Sequence, residues 1–391
     1  MFRGTSNGLL KGTLQGTKQG LSKGLLHGTN GGLNPAIPKK TIFIHTYKLV
    51  VDSTQCGSTN SANFTVLVSL TLTNLKTEIN GGVIRNTTTF NSQTVPADLV
   101  FSLSPKLTNY ISRLYWDIES YDATNGILWA WVLLPNISCT INTIFYMGIG
   151  NPSITTYQGG SVGAAWNSAY KGIWHLQNGT TLSALDASSN GFNGTITGAT
   201  ATTGQVDGGG TFNGSTDKIT NTSGTFPTLT TAFSISAWLR PTEVGSAFTR
   251  AWFQNSNTSA GIGVGVGGLS HPGQLNIYSR GIADQFLTGV TMNTINHTYY
   301  VVVTWDNTTL KGYSYDMTAA TSTSGSATGY SYSSGNGNPI IGNIDVGTSN
   351  GFPGWIDQLT VANTVHSADW ITAEYNNQKT SSTFITTTLV Y

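Results

Sequence analysis

Two carboxylates on alternate residues, Asp117 and Glu119, have a spacing in this 391-residue chain that could support acid–base chemistry. Hydrolysis of a glycosidic bond requires two acids that face each other across a cleft. Alternate residues of a strand point to the same side of a sheet, so Asp117 and Glu119 would share a face. No comparable pair follows Phe233. We interpret the two acids as a solvent-facing pair at a strand edge, and we do not expect the protein to be an enzyme.

Histidine and cysteine are too scattered to predict a catalytic or metal centre. The histidines lie far apart along the chain, and His175, which stands between Trp174 and Leu176, is expected to have a packing role. Zinc sites group His and Cys at short spacings, whereas Cys56 and Cys139 are distant and unaccompanied. The two cysteines permit one disulfide, and the sequence leaves open whether it forms.

Glycine recurs at every fourth position of the first 34 residues. The positions are Gly4, Gly8, Gly12, Gly16, Gly20, Gly24, Gly28 and Gly32, each followed by Thr or Leu. Inside a helix each glycine would cost about 1 kcal/mol relative to Ala. A partner surface that requires close backbone approach explains the repeat, so residues 1–34 are predicted to be an anchoring arm. A flexible glycine-rich tail is the alternative.

Positive charge is concentrated at the same end of the chain. Seven of the 18 Lys and Arg residues precede the first acid, Asp52, which leaves 11 against all 17 acidic residues in the remainder. An anionic target for the arm, such as an acidic protein socket, fits this distribution. Basic residues with interleaved aromatics do not occur in the body, so nucleic-acid binding is not expected. The arm also lacks both the roughly 20 apolar residues of a membrane span and the apolar stretch of a secretory signal.

Composition and periodicity favour β-structure after the arm. Charged residues make up only 9% of the chain, against about a quarter in typical domains, and Gly, Thr, Ser and Asn replace them. Alternating or β-branched runs recur, for example at 64–70, 128–132 and 143–147, and turn residues separate them. In the part of the chain that contains these runs, no long stretch has a convincing helical period.

The motifs beyond the arm resemble a known pair of domains. Residues 64–75, 97–101, 118–126 and 146–152 are similar to a small β-domain of unknown function that is common in bacterial and phage surface proteins. Residues 166–176 resemble its junction to a laminin-G-like, concanavalin A-like jelly roll, whose own motifs are 186–194, 204–214, 233–241, 302–306, 354–359 and 373–378. The resemblance implies an all-β fold class. An extended docking arm over 1–40 would precede a small β-sandwich domain over 41–160 and a jelly-roll domain over 161–391.

The resemblance also implies candidate calcium ligands, because laminin-G-like jelly rolls often hold a calcium ion. Asp186 and Asn190, in an Asp-x-x-x-Asn loop, are the first candidates, and Asp217 and Asp357 follow. Calcium accepts many backbone carbonyl ligands and therefore needs few acids. In the alternative interpretation, Asp186 and Asn190 close an Asx-turn and Asp357 caps a loop.

Glycan binding would use aromatic faces together with amide and carboxylate groups. The aromatic candidates are Trp252, Tyr278, Tyr313, Tyr330, Tyr332 and Trp355, although most aromatic residues of two β-sandwiches belong in their cores. Residues 321–338 are rich in Ser, Gly and Tyr, a composition suited to adaptable contact surfaces. An ordinary long connection has the same composition.

The arm, the uncharged polar body and the lack of an export signal together favour a bacteriophage virion protein. It would be a capsid decoration, a head fibre or a tail appendage at the virion surface. Residues 1–34 would dock onto other virion proteins, and the β-domains of a homo-oligomer would project toward host-surface glycans. The alternative is a bacterial surface or secreted adhesin or carbohydrate-binding protein.

Overall fold

The computed structural model describes residues 43–391, apart from 108, 178–179, 230, 246–248, 258–259, 269, 280–282, 330–336 and 345–349. The predicted anchoring arm, with its glycines from Gly4 to Gly32, therefore lies outside the described residues. Residues Thr41–Tyr391 form a single unit, which is the part of the molecule that carries the sites below.

The first part of this unit is built from antiparallel strands. They are β1 (His45–Val51), β2 (Ser61–Thr71), β3 (Thr87–Phe90), β4 (Gln93–Pro96), β5 (Leu99–Ser102), β6 (Trp116–Asp122), β7 (Ile127–Ile137) and β8 (Thr143–Ile149). β2, β7 and β6 form one sheet, β8 lies between β1 and β5 in another, and β3 and β4 form a hairpin. Alternate apolar residues of these strands bury a shared core that includes Phe64, Leu99 and Phe145.

The second part is a jelly roll of two packed antiparallel sheets. Its strands are β9 (Tyr170–Trp174), β10 (Gly194–Thr197), β11 (Thr200–Thr203), β12 (Gly208–Asn213), β13 (Lys218–Asn221), β14 (Phe233–Pro241), β15 (Trp252–Asn257), β16 (Ala260–Val266), β17 (Gln274–Ser279), β18 (Ala283–Thr291), β19 (Tyr299–Trp305), β20 (Thr309–Asp316), β21 (Thr321–Thr328), β22 (Pro339–Ile341) and β23 (Pro353–Ala362). One sheet has the order β10-β13-β22-β15-β16-β17-β18, and the other has the order β11-β12-β23-β14-β19-β20-β21, with β9 also paired to β23.

Strand β19 shows why this sheet is buried on both faces. Tyr299, Val301 and Val303 lie in the core between the two sheets, whereas Tyr300 and Val302 belong to a separate cluster on the outer face. The two faces alternate because side chains of a strand point to opposite sides of the sheet. The continuous apolar sequence of β19 is therefore the signature of a strand covered on both faces.

A helix covers the outer face of this sheet within the all-β fold. α1 (Ala368–Lys379) begins at Ser367, whose side chain accepts a hydrogen bond from the backbone N–H of Trp370, and the short α2 (Ser381–Phe384) follows it. Ile371 and Tyr375 of α1 pack into the outer-face cluster. Asn377 of the same helix hydrogen-bonds both the N–H and the C=O of Leu67 in β2, at 2.6 and 2.9 Å. α1 therefore ties the jelly roll to the first part.

The end of the chain departs from the predicted boundaries. Residues 161–391 were assigned to the jelly-roll domain, but β24 (Ile385–Leu389) pairs with β1 and extends the four-stranded sheet of the first part. The backbone N–H of Val390 continues this contact by donating to Thr46 O at 2.8 Å. Among the described residues, β1 is the ladder partner of the last strand, so β24 belongs to the sheet of the first part.

Candidate functional site

Asp117 and Glu119 point into the molecule and not toward solvent. Both belong to β6, whose ladder with β7 shifts register between Ile118 and Ser120. A register shift of this kind re-aims side chains along a strand. The exposed fractions of Asp117 and Glu119 are 4% and 0%, so the expectation of a solvent-facing pair is wrong.

Two residues of the jelly roll meet these acids where the two parts join. His175 directly follows β9, and Gln358 lies in β23, next to a register shift against β14. Gln358 has a φ of +49°, a left-handed backbone that is uncommon for a non-glycine residue. Such a conformation persists where the surrounding contacts over-determine it. We call Asp117, Glu119, His175 and Gln358 the junction cluster.

Glu119 is the hydrogen-bond acceptor at the centre of the junction cluster. Its Oε2 accepts from Trp131 Nε1 at 2.6 Å and from Gln358 Nε2 at 2.7 Å, and it lies 3.0 Å from His175 Nδ1. The Oε1 atom of Gln358 also lies 2.8 Å from His175 Nδ1. Residues from both parts of the unit therefore converge on one carboxylate oxygen.

Asp117 and two indole rings complete the surroundings of His175. Asp117 Oδ2 accepts from Trp166 Nε1 at 3.1 Å and lies 3.7 Å from His175 Nε2. The imidazole ring is nearly parallel to the ring of Trp131, with 5.7 Å between centroids and 11° between planes, and it is tilted against Trp166. Aromatic faces stabilise a nearby cation, so this environment suits a protonated histidine.

The pKa values follow from burial and from these neighbours. Burial raises the pKa of Glu119 to about 7, and His175 and the Trp131 hydrogen bond only partly oppose it. Burial alone would lower the pKa of His175, but Glu119 and Asp117 raise it to about 9. Burial, and then repulsion by Glu119, also raises the pKa of Asp357, whose Oδ2 accepts from the backbone N–H groups of Gln205 and Val206. The raised pKa of His175 therefore favours its protonated form beside the Glu119 carboxyl group.

This arrangement can join two parts of a protein, but it does not present its acids to a substrate. A general acid must come within hydrogen-bond distance of the reacting atom. His175 is 2% exposed and the two acids are as deeply buried. His175 thus lies in a packed junction, as the sequence led us to expect.

A polar cleft opens near the junction cluster. Its larger cavity, of about 450 Å³, is lined by residues 92–94 at the hairpin, by residues 120–122 at the end of β6, by Ile127 and by Asp207 of the jelly roll. All of these side chains except Ile127 end in a hydroxyl, an amide or a carboxylate. We call this cavity, together with the smaller one described next, the polar cleft.

The smaller cavity of the polar cleft has a volume of about 330 Å³ and shares Ser92 and Gln93 with the larger one. Its lining consists of residues 91–93 together with Gln177 and residues 181–185 of the jelly roll. The hairpin tip is held in place because Phe90 stacks on Tyr157 with 3.9 Å between ring centroids. Both cavities therefore combine groups from the two parts of the unit around one fixed turn.

Asp186 and Asn190, the first two predicted calcium ligands, already make several hydrogen bonds in the structure. Asp186 accepts four hydrogen bonds at 2.8–2.9 Å, from three backbone N–H groups and the Ser188 hydroxyl, and these use the roughly four acceptor sites of a carboxylate. Asn190 directs its amide to the carbonyls of Tyr170 and Lys171. Among the residues that the structure describes, no three His, Cys, Asp or Glu side chains form a metal-binding group. Calcium binding stays a prediction.

The other two candidate ligands are engaged at separate places. Asp217 accepts from the backbone N–H of Asn213 at 3.0 Å, and Asp357 holds residues 205–206 beside the junction cluster. Asp357 thus caps a loop, as in the alternative interpretation of the sequence, in which these residues stabilise turns and do not bind calcium.

The aromatic candidates divide between core and surface. Trp252 is fully buried between the sheets, and Tyr313 and Trp355 pack against the outer-face cluster. Tyr278 is half-buried, with the guanidinium of Arg250 4.7 Å from its ring centroid. Tyr330 and Tyr332 fall outside the described residues.

Cys56 and Cys139 are both free thiols in the structure. Burial raises the pKa of Cys56 to about 12. Cys139 Sγ lies 3.2 Å from the carbonyl oxygen of Ser58. The disulfide that the sequence left open is therefore not formed here.

Sequence reasoning missed Asp207, Gln358 and the hairpin tip as members of a site. In the sequence, Gln358 belongs to the motif 354–359. Its contacts with Glu119 and His175 could not be predicted, because they connect residues that are 239 and 183 positions apart. A local signal was present at the hairpin, because Asn91 and Ser92 are residue types that favour a tight turn. Both adopt positive φ angles there.

Comparisons with known proteins agree with the jelly-roll architecture. Residues 213–372 match the Concanavalin A-like lectin/glucanases superfamily, and this stretch is a concanavalin A-like jelly-roll domain in an all-β protein. No curated protein sequence matches the chain significantly. Among the described residues, no helix has the length and apolar character needed to cross a membrane.

Three similar solved structures have sequence identities of 18%, 14% and 13% with this chain. Domain 4 of AbnA, a GH43 extracellular arabinanase from Geobacillus stearothermophilus, in complex with arabinotriose, has 18% identity and a TM-score of 0.41, over 52% of this chain and 96% of that one. The binding domain of Paraclostridial Mosquitocidal Protein 1 has 14% identity and a TM-score of 0.39, over 53% and 52%. The CBM40 domain of the Ruminococcus gnavus IT-sialidase, bound to α2,3 sialyllactose, has 13% identity and a TM-score of 0.30, over 37% and 82%.

Proposed function

We propose that this chain, with its concanavalin A-like jelly roll at residues 213–372, is a non-catalytic carbohydrate-binding structural protein of a bacteriophage virion. It would serve as a capsid decoration, head fibre or tail appendage. Residues 1–34 dock onto other virion proteins, and a homo-oligomer of the β-domains meets host-surface glycans. A bacterial surface or secreted adhesin is the second candidate, because such a protein would use the same binding surface.

The polar cleft is the observation that carries the glycan-binding part of the proposal. Its larger cavity of about 450 Å³ falls within the usual range of ligand sites, about 300–1,000 Å³. Hydroxyl and amide groups dominate its lining, and these donate and accept hydrogen bonds as sugar hydroxyls do. The jelly-roll residues that line the cleft, Asp207, Gln177 and 181–185, precede the stretch that matches the Concanavalin A-like lectin/glucanases superfamily.

The burial of the junction cluster supports a non-catalytic role. Asp117 and Glu119 are the acids whose spacing could serve glycoside hydrolysis, yet both are sealed from solvent and engaged by indole N–H groups. A carboxylate that a sugar cannot reach does not protonate its glycosidic oxygen.

The anchoring part of the proposal rests on the four-residue glycine period and on the basic charge of residues 1–40. A regular glycine spacing serves close backbone packing against a partner. The positive charge favours binding to an acidic surface of a partner protein and increases the rate of association.

Glycan binding is tested with the purified full-length protein on an array of neutral and acidic oligosaccharides, followed by calorimetry of the hits. We expect saturable binding, with dissociation constants in about the micromolar-to-millimolar range of a shallow polar site. Failure to bind any oligosaccharide, on an array validated with a control lectin, would refute the glycan-binding role.

Anchoring is tested by expressing the chain beside the other virion proteins and measuring its incorporation into purified particles. Removal of residues 1–34 should abolish incorporation. The matched control is a variant whose first 34 residues are shuffled, so that charge and composition stay the same and only the glycine period is lost. Normal incorporation of either variant would contradict the proposed anchor, and a secreted adhesin would be the better assignment.

A further inference from the structure

The two free thiols lie in neighbouring loops of the first part. Cys56 follows a short helical turn over Ser53–Gln55, between β1 and β2, and Cys139 lies in the connection between β7 and β8. We propose that Cys56 and Cys139 are a modification site, at which a small-molecule disulfide oxidises them to one intramolecular disulfide. This inference is independent of the proposed glycan-binding and anchoring roles, neither of which uses these side chains.

Hydrogen bonds hold the two loops together on both sides of Cys56. The backbone N–H of Ser53 donates to Asn142 Oδ1 at 3.0 Å, and the backbone N–H of Cys139 donates to Asn60 Oδ1 at 3.0 Å. Cys56 lies between the two residues of its own loop that make these contacts, Ser53 and Asn60. The connection that carries Cys139 is therefore fixed against the loop that carries Cys56.

The Cys139 sulfur points at the chain next to Cys56. Cys139 Sγ donates to the carbonyl oxygen of Ser58, two positions after Cys56, at 3.2 Å. Cys56 belongs to the buried core of the first part, and Cys139 packs against that core. Burial, then Asp52 and then Cys139 raise the pKa of Cys56 to about 12, and an effect of one thiol on the other requires that they lie close together. Rotation of the side chains and a small loop movement can therefore bring the sulfurs to bonding distance.

Cys139 reacts first, because it is half-buried whereas Cys56 is fully buried. The Cys139 thiolate attacks one sulfur of an oxidant such as glutathione disulfide, which forms a mixed disulfide and releases one glutathione thiolate. That thiolate takes up the proton that Cys139 lost. Cys56 then gives up its own proton and attacks the Cys139 sulfur, which displaces the second glutathione as its thiol. Two protein thiols and one oxidant disulfide thus become one protein disulfide and two molecules of glutathione.

The bond would fix the loop that holds α1. Asp369, in the first turn of α1, accepts from the backbone N–H of Ser58 at 3.0 Å and from the hydroxyl of Thr59 at 2.6 Å. Asn376 of the same helix donates to Gln55 O at 3.0 Å. The residues on both sides of Cys56 are therefore attached to the helix that ties the jelly roll to the first part, and a disulfide strengthens this attachment.

The first experiment maps the bond in the full-length protein. The protein is purified under reducing conditions, incubated without denaturant in glutathione disulfide, then alkylated in urea and digested with trypsin. Cys56 and Cys139 fall in the tryptic peptides 49–76 and 114–171. We expect mass spectrometry to show these two peptides covalently joined after oxidation and separate after reduction.

The second experiment measures what the bond does to the fold. A disulfide that closes a long chain segment restricts the unfolded state and so favours the folded one. We expect the oxidised protein to have a thermal unfolding midpoint about 3–6 °C above that of the reduced protein. The matched control is Cys139→Ser, a substitution of similar size at the half-buried position. Its midpoint should be the same after either treatment.

Three results would overturn the inference. The peptides could carry only alkylated or glutathionylated cysteines, the bond could form only between two copies of the chain, or it could form only when oxidation is carried out in urea. Each would show that the folded loops do not bring the two sulfurs together. A midpoint that rises equally in Cys139→Ser would overturn the stabilising role of the bond. Neither experiment uses a glycan or a virion protein, so the proposed function stands or falls separately.

Discussion

Replacing Glu119 by alanine should destabilise the protein far more than the loss of an exposed glutamate. The substitution removes the acceptor of Trp131 Nε1 and Gln358 Nε2 and the carboxylate 3.0 Å from His175. An unsatisfied buried donor costs about 1–3 kcal/mol, and loss of one member of a buried ion pair costs about 3–5 kcal/mol in total. We expect a decrease of about 3–5 kcal/mol in the free energy of unfolding, a large part of the roughly 5–15 kcal/mol of a typical protein.

The matched control is Glu78→Ala. Glu78 pairs with Arg85 at 3.0 Å, but its side chain is 53% exposed, so its loss should cost only about 0–1 kcal/mol. Glu119→Gln retains one acceptor oxygen and loses the charge, and it should fall between the two. Urea unfolding followed by tryptophan fluorescence measures all three variants, since Trp131 and Trp166 report directly on the junction.

The refuting result is a small effect. If Glu119→Ala and Glu78→Ala lowered the free energy of unfolding by the same amount, the junction cluster would not hold the two parts together. If the reasoning is right, Glu119→Ala should also split the unfolding curve into two transitions, because the jelly roll and the first part would no longer unfold as one unit.

Three further predictions concern the same framework. Since the folded-state pKa values of Glu119 and His175 are raised to about 7 and about 9, their contributions to stability are present at low pH and are lost as the pH rises through these values. The free energy of unfolding should therefore fall between about pH 4.5 and pH 7 through Glu119 and between about pH 6.5 and pH 9 through His175, and it should fall less in Glu119→Gln. Asp186→Ala should cost about 3 kcal/mol or more in urea unfolding, because three backbone N–H groups lose their acceptor. Asn377→Ala should cost about 1–3 kcal/mol, because the buried N–H of Leu67 loses its acceptor while the C=O of Leu67 keeps the hydrogen bond from the Ser381 hydroxyl.

Controls make these three results decisive. A pH slope identical in Glu119→Gln and the unaltered protein would contradict the assigned titrations. Asp217→Ala removes a carboxylate that accepts one backbone hydrogen bond. If Asp217→Ala and Asp186→Ala lowered the free energy of unfolding equally, the role assigned to the Asp186 hydrogen bonds would be contradicted. Repeating the Asp186 measurement in EDTA tests the calcium prediction, since a calcium-bound loop loses stability on chelation. Asn376→Ala, at a half-buried neighbour whose side-chain amide donates to Gln55 O, should be milder than Asn377→Ala.

The jelly roll could be predicted from the sequence because its signals are local. The motif at 233–241 coincides with β14, and the motif at 302–306 overlaps the second half of β19. The turn residues that separate the strands also act over short distances.

α1 could not be predicted by helical periodicity because polar residues share its buried face with Ile371 and Tyr375. Glu374, Asn377 and Gln378 are buried, and Asn377 and Gln378 satisfy partners on β2 and β14, the latter through Trp238 Nε1 at 2.6 Å. An apolar stripe at helical spacing, which sequence analysis detects, is therefore absent from this helix.

The sites could not be predicted because they depend on contacts between distant segments. The local alternation of Asp117 and Glu119 was visible, but the register shift in β6 decides their orientation, and Trp131, His175 and Gln358 decide their environment. Asp207 joins residues 92–94 in the polar cleft only after the two parts have packed.

The position of β1 has a mechanical consequence. β1 lies inside its sheet, hydrogen-bonded to β24 on one side and to β8 on the other. A pulling force transmitted along the backbone into His45 would act parallel to both ladders, so many hydrogen bonds would resist it together and none would be peeled off singly. A tether at this end of the described chain would thus load the fold in shear, the direction in which a β-sheet bears tension best.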